Sequence, residues 1–264
     1  MIADGRVALD GRVLDTPATV LPSLKGVTVD GKPVAEPEPA RMWLFHKPAG
    51  VITATRDPSG QGRPTIYDGL PPGLPRVVPV GRLDLNTEGL LLLTNDGELK
   101  RTLELPSTGV ERTYRVRAYG PVRQEQLEEL IEGVTVDGVR YGSIDANIER
   151  RTGANLWLEM RLTEGKNREV RRVLEHLGLR VSRLIRTAYG PWKLGDAPEG
   201  AVQEVPRPAL AEWVKTLKRA PGSGRAPAVK GEERPATRSR PEYVPRPRKR
   251  AAPSPTPAPR GGRR

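Results

Sequence analysis

The chain is 264 residues long with a formal charge of +12, and a net +9 of that excess, twelve basic against three acidic residues, falls in residues 221–264. It has no cysteine, which excludes disulfides, thiolate metal sites and cysteine nucleophiles and fits a reducing compartment. The longest aliphatic run, Leu90 to Leu93, is far short of the ~20 residues that span a bilayer, and the first residues lack the basic-then-apolar order of a secretory signal; the expectation is a soluble, cytoplasmic protein with no membrane contact.

In chain order, residues 1–40 read as small β-structure. Val7 and Leu9 alternate before Asp10-Gly11, Val27 and Val29 before Asp30-Gly31, and both Asp-Gly pairs are hairpin signals. With so few large apolar side chains this piece is marginal on its own. A proline-rich linker at 33–39 leads into a mixed region over 41–220. Residues 124–132 predict a helix with Leu127, Leu130 and Ile131 on one face and Gly133 as its stop. Leu156, Leu158, Met160 and Leu162 alternate with Asn155, Trp157, Glu159 and Arg161, the pattern of a half-buried strand. Residues 167–177 predict a second helix, with Asn167 as N-cap and an apolar face of Val170, Val173, Leu174 and Leu177. Gly178 ends it, His176 sits where a helix end favours a cation, and Arg168, Arg171 and Arg172 lie opposite the apolar face.

Short strands among a few helices, without regular βαβ alternation, argue an α+β fold with a largely antiparallel sheet. Residues 221–264 hold ten of the 28 prolines and only Val229, Tyr243 and Val244 as bulky apolar side chains. That is the composition of a disordered, basic tail, either solubilising or an electrostatic arm on nucleic acid.

Common catalytic patterns are absent. There is no Walker A sequence, no Gly-x-Gly-x-x-Gly after a strand and no Gly-x-Ser-x-Gly elbow. His46 and His176 are the only histidines and lie in separate segments, so no metal site is expected. The informative stretch is residues 80–97, VGRLDLNTEGLLLLTNDG: a glycine turn, a polar loop, an apolar strand and a second turn. Asp84 lies between Leu83 and Leu85 in a setting expected to exclude water, where a carboxylate needs a nearby cation to stay ionised. By pattern alone Asp84 either performs chemistry or caps a turn and pairs locally with Arg82.

Gly81-Arg82-Leu83-Asp84, followed by Thr87 and by Gly89 through Gly97, resembles the signature of ribosomal RNA pseudouridine synthases of the RsuA/RluB type. Further blocks agree in order: His46-Lys47-Pro48-Ala49-Gly50, Asp57-Pro58 with Gly62-Arg63-Pro64-Thr65, Arg112-Thr113-Tyr114-Arg115-Val116, and the stretch from Glu164 to Arg172. The last block and Ser182-Arg183-Leu184-Ile185-Arg186 are most like the large-subunit, RluB-like branch. The resemblance implies a mainly antiparallel catalytic domain over 41–220. Before it, residues 1–40 match only the strand part of a small RNA-binding module, so the expectation is either a truncated module or a start that lies further upstream than Met1. Leu105-Pro106 departs from the His-Pro of many relatives.

The implied activity is isomerisation of a uridine in ribosomal RNA, or in a pre-ribosomal particle, by a monomer with no cofactor and no obligatory protein partner. By resemblance, Asp84 is the catalytic aspartate, acting as nucleophile at the sugar or as base at C2′. Tyr114 is an aromatic wall against the uracil, Arg171 pairs with Asp84, and Val170 packs on the base. Arg82 fills the gap left by the flipped nucleotide, and Arg63, Lys166, Arg168, Arg183 and Arg186 are candidates for phosphate contacts. A non-catalytic RNA-binding or assembly factor on the same scaffold is the alternative.

Deleting residues 221–264 removes a net charge of +9 and no expected core. The melting temperature should hardly change, while binding to an RNA transcript at low salt should weaken and its salt dependence become shallower. Calorimetry and filter binding across a salt series check both.

Overall fold

The run from Leu90 to Leu93 belongs to a strand buried on both faces, and the rest of the fold is laid around it. The computed structural model describes residues 1–219 apart from 22, 36 and 37. The first strands are β1 (Val7–Leu9), β2 (Arg12–Val13), β3 (Val27–Val29) and β4 (Lys32–Pro33), a sheet in the order β2-β1-β3-β4. Its two hairpins turn at the expected Asp-Gly pairs. All four turn residues have positive φ, 48° and 80° at Asp10-Gly11 and 52° and 75° at Asp30-Gly31, the backbone twist that suits flanking strands. Among the described residues of 1–40 only Val27 is fully buried.

Beyond it come β5 (Met42–Lys47), β6 (Val78–Val80), β7 (Glu88–Thr94), α1 (Gly97–Glu104), β8 (Arg112–Tyr119), α2 (Gln124–Glu128), β9 (Val134–Val136) and β10 (Val139–Tyr141). The chain continues through β11 (Ile144–Thr152), β12 (Asn155–Leu162), α3 (Glu169–His176), β13 (Arg180–Tyr189), β14 (Trp192–Lys193), β15 (Val202–Glu204) and α4 (Arg207–Arg219). The main sheet runs β11-β12-β8-β13-β7-β5-β15, with β6 added on β7 and β14 on β13. Of its pairings among the described residues, only β7 with β13 is parallel, through Ile185 opposite Glu88 and Arg186 opposite Gly89. The fold is α+β and mainly antiparallel, as expected.

The sheet's two halves meet at that parallel pair. On one side Leu156, Leu158, Met160 and Leu162 of β12 pack with Val170, Val173 and Leu174 of α3. On the other, β7 divides its leucines: Leu90 and Leu92 join Trp213 and Leu217 of α4, while Leu91 and Leu93 join Trp43 and Phe45 of β5. A strand covered on both faces has no polar side, and its sequence therefore reads as a continuous apolar run.

Two predicted helices need correction. Residues 124–132 form a short α-helix and then a 3-10 turn, Glu129–Glu132. At three residues per turn Leu130 falls under Leu127 in the core, and Ile131 swings out to 51% exposure. The second helix starts at Glu169, not 167. Its cap is Arg168 in the left-handed region (φ 51°), because the Glu169 carboxylate accepts from the Lys166 backbone N–H at 2.8 Å and folds the preceding loop back on itself. The predicted tail lies outside the described residues.

Gly89, at φ 105°, lets β7 and β13 approach: a Cβ there would lie 2.4 Å from the Arg186 carbonyl oxygen and 2.7 Å from its nitrogen. Gly89→Ala should cost about 2–3 kcal/mol from backbone strain plus steric displacement, lowering the melting temperature by roughly 5–10 °C. Gly97→Ala, with no atom within 4 Å of the added Cβ, should leave it unchanged or slightly raised. Thermal unfolding of the pair checks this.

Candidate active site

The loop between β6 and β7 is shaped by contacts to its own backbone. Gly81 turns the chain (φ 67°) and donates its N–H to Glu104 of α1 at 2.6 Å. Leu83 is buried, and its carbonyl accepts from the Thr53 hydroxyl at 2.9 Å. The Gly50 N–H donates to the Leu85 carbonyl at 2.8 Å, and the Thr87 N–H closes a turn on the Asp84 carbonyl at 3.0 Å. From below, the fully buried Lys47 ammonium donates to the carbonyls of Thr87 (2.8 Å) and Pro48 (2.9 Å). Burial lowers the Lys47 pKa to about 8, against the opposing pull of Asp84 and Glu88. Hydrogen bonds therefore set the loop, and the Asp84 side chain is left to face a cleft.

That cleft has a volume of about 650 Å³ and lies along the joint between the sheet halves. Asp84, Tyr114, Val170, Arg171, Arg82, Lys166, Arg168 and Arg186 all line it. Tyr114, on β8, is half-buried and packs against the cores on both sides of the joint. Val170 is buried on α3. Seven Lys or Arg against four Asp or Glu make the lining net basic.

The cation beside Asp84 is not the expected one. Arg171 donates to the Asn86 carbonyl at 2.8 Å, bracing the Asp84 loop from α3, and burial, then the Arg168 charge, push its pKa down while Asp84 and Glu175 oppose this. Among the described residues the one Lys, Arg or His nitrogen within 4 Å of the Asp84 carboxylate is that of Arg168, Nη1 to Oδ2 at 3.8 Å. The left-handed Arg168 backbone sets that side chain at the start of α3, a conformation that residue pattern does not encode. Nor does Asp84 lie in a dry setting: its side chain is 37% exposed, although Leu83 beside it is buried.

The five candidate phosphate contacts are spread unevenly: Lys166 and Arg168 are exposed at the cleft, and the other three are placed differently. Arg186 is only 3% exposed; its Nε donates to the Leu90 carbonyl at 2.7 Å and its guanidinium lies 5.1 Å from the Tyr189 ring centroid, so it bolts β13 to β7. Arg63 and Arg183 lie outside the cleft lining. Arg63 holds Asp57 at 2.8 Å and keeps that carboxyl well below its usual range, while Arg183 pairs with Glu88 at 2.6 Å.

Lys47, Arg112 and Glu169 fall within the motif blocks but carry no expected role, and the structure buries all three at or beneath the cleft. The buried Arg112 guanidinium donates to the Val110 and Thr163 carbonyls and to the Tyr189 hydroxyl. Burial raises the Glu169 carboxyl pKa, and its Oε1 has no partner. Thr87, Arg171 and Arg186 likewise each hold a buried polar atom without a protein partner, and all four side chains line the cleft. Finished cores rarely leave such groups, whereas functional sites do. Among the described residues no three His, Asp or Glu side chains are grouped to hold a metal ion, and no helix is long and apolar enough to cross a membrane.

Comparison with known proteins agrees with this architecture. A crystal structure of a pseudouridylate synthase shares the fold, with a TM-score of 0.58 at 24% identity over 82% of this chain and 90% of that one. An uncharacterized RNA pseudouridine synthase of Rickettsia bellii (strain RML369-C) is 43% identical over 205 residues, covering 78% of this chain and 88% of its own. The ribosomal large subunit pseudouridine synthase B of Pasteurella multocida (strain Pm70) is 40% identical over 78% of this chain and 61% of its own length. That of Salmonella typhi is 42% identical over 72% of this chain and 67% of its own. The profile of the RNA pseudouridylate synthase family matches residues 41–176, the span that carries Asp84, Tyr114 and Arg171, and the chain belongs to that family.

Proposed function

We propose that this pseudouridine synthase acts in the cytoplasm on a uridine of large-subunit ribosomal RNA, with Asp84 as its catalytic carboxylate. The carrying observation is a half-exposed carboxylate on a hydrogen-bonded loop, facing a net basic cleft beside a tyrosine and a helix-borne valine. Relatives named as large-subunit enzymes support the target. Residues 41–220 would form the catalytic domain, with residues 1–40 an accessory RNA contact.

The isomerisation is intramolecular and redox-neutral. The N1–C1′ bond breaks, the uracil turns, C5 joins C1′, the C5 proton leaves to solvent, and N1 takes one up in its place. Asp84 acts either by attack on C1′ or by taking a C2′ proton, and both routes need it ionised. In the open cleft, water serves that need. A flipped nucleotide displaces the water, and the Arg168 charge 3.8 Å away then acts through a lower dielectric and carries the ionised state. Arg171 works one step back, holding the loop through Asn86. Tyr114 and Val170 confine the freed base, Arg82 at the exposed rim takes the space it vacates, and Lys166 meets phosphate.

Asp84→Asn should fold and bind RNA like the wild type yet release no tritium from C5-labelled uridine in large-subunit transcripts. Wild-type release would remove Asp84 from the chemistry, and release from small-subunit transcripts alone would overturn the target.

The two arginines should separate. Arg168 is 47% exposed, so Arg168→Ala should barely move the melting temperature while slowing single-turnover isomerisation by about tenfold or more, with partial recovery in Arg168→Lys. Arg168→Gly, which relieves the positive φ, should be as stable as the wild type and as slow as the alanine variant. Arg171→Ala removes a buried brace and should lose both stability and rate. Melting curves and single-turnover rates on the same preparations distinguish the two roles.

A further inference from the structure

The back of the main sheet carries a second basic surface, remote from the chemistry. Tyr114, Val116 and Ala118 of β8 face the core; Arg115, Arg117 and Tyr119 face the other way and are exposed. Pairing continues this outer face across four strands in two rows. Arg150 lies opposite Trp157, Trp157 opposite Arg117, and Arg117 opposite Arg183. In the next row Asn155 lies opposite Tyr119, and Tyr119 opposite Arg180.

Two register shifts build this face. One between Ile148 and Arg150 makes Glu149 the extra residue and puts Arg150 in the row. The other, between Val181 and Arg183, makes Ser182 the extra residue, so that Arg180 and Arg183 share a side. Without the second, alternation would send Arg180 and Arg183 to opposite faces, and without the first Arg151 would stand on this face in place of Arg150; bulges are a recurrent device for re-aiming side chains at working surfaces. The aromatic residues are equally out of place. Trp157 sits on the polar side of its strand, Tyr119 is 49% exposed, and each ring is covered by an arginine: Arg115 at 4.7 Å from the Trp157 centroid and Arg180 at 5.6 Å from that of Tyr119. Between Arg117, Arg150 and Trp157 runs a groove of about 300 Å³. Arg115 is paired with Glu149 and Arg183 with Glu88; among the described residues no carboxylate pairs with Arg117, Arg150 or Arg180.

We propose that this outer face is a second RNA site, which takes unpaired nucleotides of the substrate outside the catalytic cleft. It rests on the reading of the protein as an RNA-modifying enzyme, and its occupant follows from the chemistry. Half-exposed rings offer stacking planes to unpaired bases, which a duplex withholds. Unpaired arginines on either side of the rings offer charge to the backbone, and an arginine already lying on each ring can move to a phosphate as a base replaces it.

The test uses the full-length protein and a labelled twelve-nucleotide oligoadenylate, which contains no uridine and so is no substrate. Wild-type binding is expected, read by anisotropy across a salt series. Arg117→Gln with Arg150→Gln should weaken it at least tenfold and reduce the slope of log affinity on log salt by about 1.4, from two phosphate contacts on a single strand. Trp157→Ala should weaken it by about fivefold or more with the slope kept, and Trp157→Phe should restore most of it. Melting curves accompany each variant. Wild-type affinity in the folded double-arginine variant, or in folded Trp157→Ala, would overturn the proposal. Equal displacement of the oligonucleotide by polyglutamate would do so too, by showing a surface for any polyanion. Tritium release from ribosomal transcripts is measured separately: oligoadenylate binding without release would leave this surface standing and fell the ribosomal reading, and release without binding would do the reverse.

Discussion

The structure depends on the parallel contact between β7 and β13. Antiparallel strands can be joined by short hairpins, but a parallel pair needs a long crossover, and here the crossover runs from residue 94 to residue 180 and carries β8, β12 and α3. The contact is close because residue 89 has no side chain, leaving the Arg186 backbone against it. The Arg186 side chain then returns to the Leu90 carbonyl, so the same pair of strands is joined by backbone and by guanidinium. A buried arginine is costly unless its donors are used, and this one also lies over Tyr189. Tyr189 in turn donates its hydroxyl to the Leu103 carbonyl at the end of α1 and accepts from Arg112. The cleft floor is thus cross-tied to both halves before any substrate arrives.

From that floor the division of labour among the cations follows. Lys47, Arg112, Arg171 and Arg186 are buried and spend their donors chiefly on main-chain carbonyls, which fixes strands and loops. Arg82, Lys166 and Arg168 are exposed at the cleft. The buried set shapes the site; of the exposed set Lys166 pairs with Glu164 at 2.7 Å and Arg168 stands by Asp84, and among the described residues Arg82 pairs with no carboxylate. The Lys47 ammonium is fully buried beneath the Asp84 loop, and that burial lowers its pKa to about 8, although Asp84 itself is open to water.

Much of this was legible in the residues. The apolar run of β7, the alternation of β12, the apolar face of α3 and the two Asp-Gly hairpins all follow from local periodicity and turn chemistry. Asp137-Gly138, with φ of 50° and 76° between β9 and β10, carries the same signal and was equally readable. The Asp84 loop was legible as a motif, but its neighbours were not. Whether Arg168 or Arg171 stands by Asp84 depends on one left-handed residue and on where the first helical turn begins, and helix periodicity places both arginines on one side. The burial of Arg186 follows from a strand pairing made nearly 100 residues away along the chain. The outer sheet face was hidden for a related reason: a bulge changes which side a residue faces without changing composition, so strict alternation misplaces everything beyond it.

On the proposed function Asp84 works on a nucleotide taken from a folded RNA, and its half-exposed state fits that reading. A carboxylate buried in the free enzyme would need a permanent, tightly bonded counterion, and that pair would have to be broken to admit a sugar. With Arg168 at 3.8 Å and both groups wet, the ion pair contributes little while the cleft is open. On the proposed function its strength would grow as the base and ribose expel water, when the cost of flipping the nucleotide must be met. Asp84 is therefore held by its backbone rather than by its charge. Its position is set in advance by Lys47, Thr53 and Gly50, and its electrostatics are completed by the substrate's own arrival.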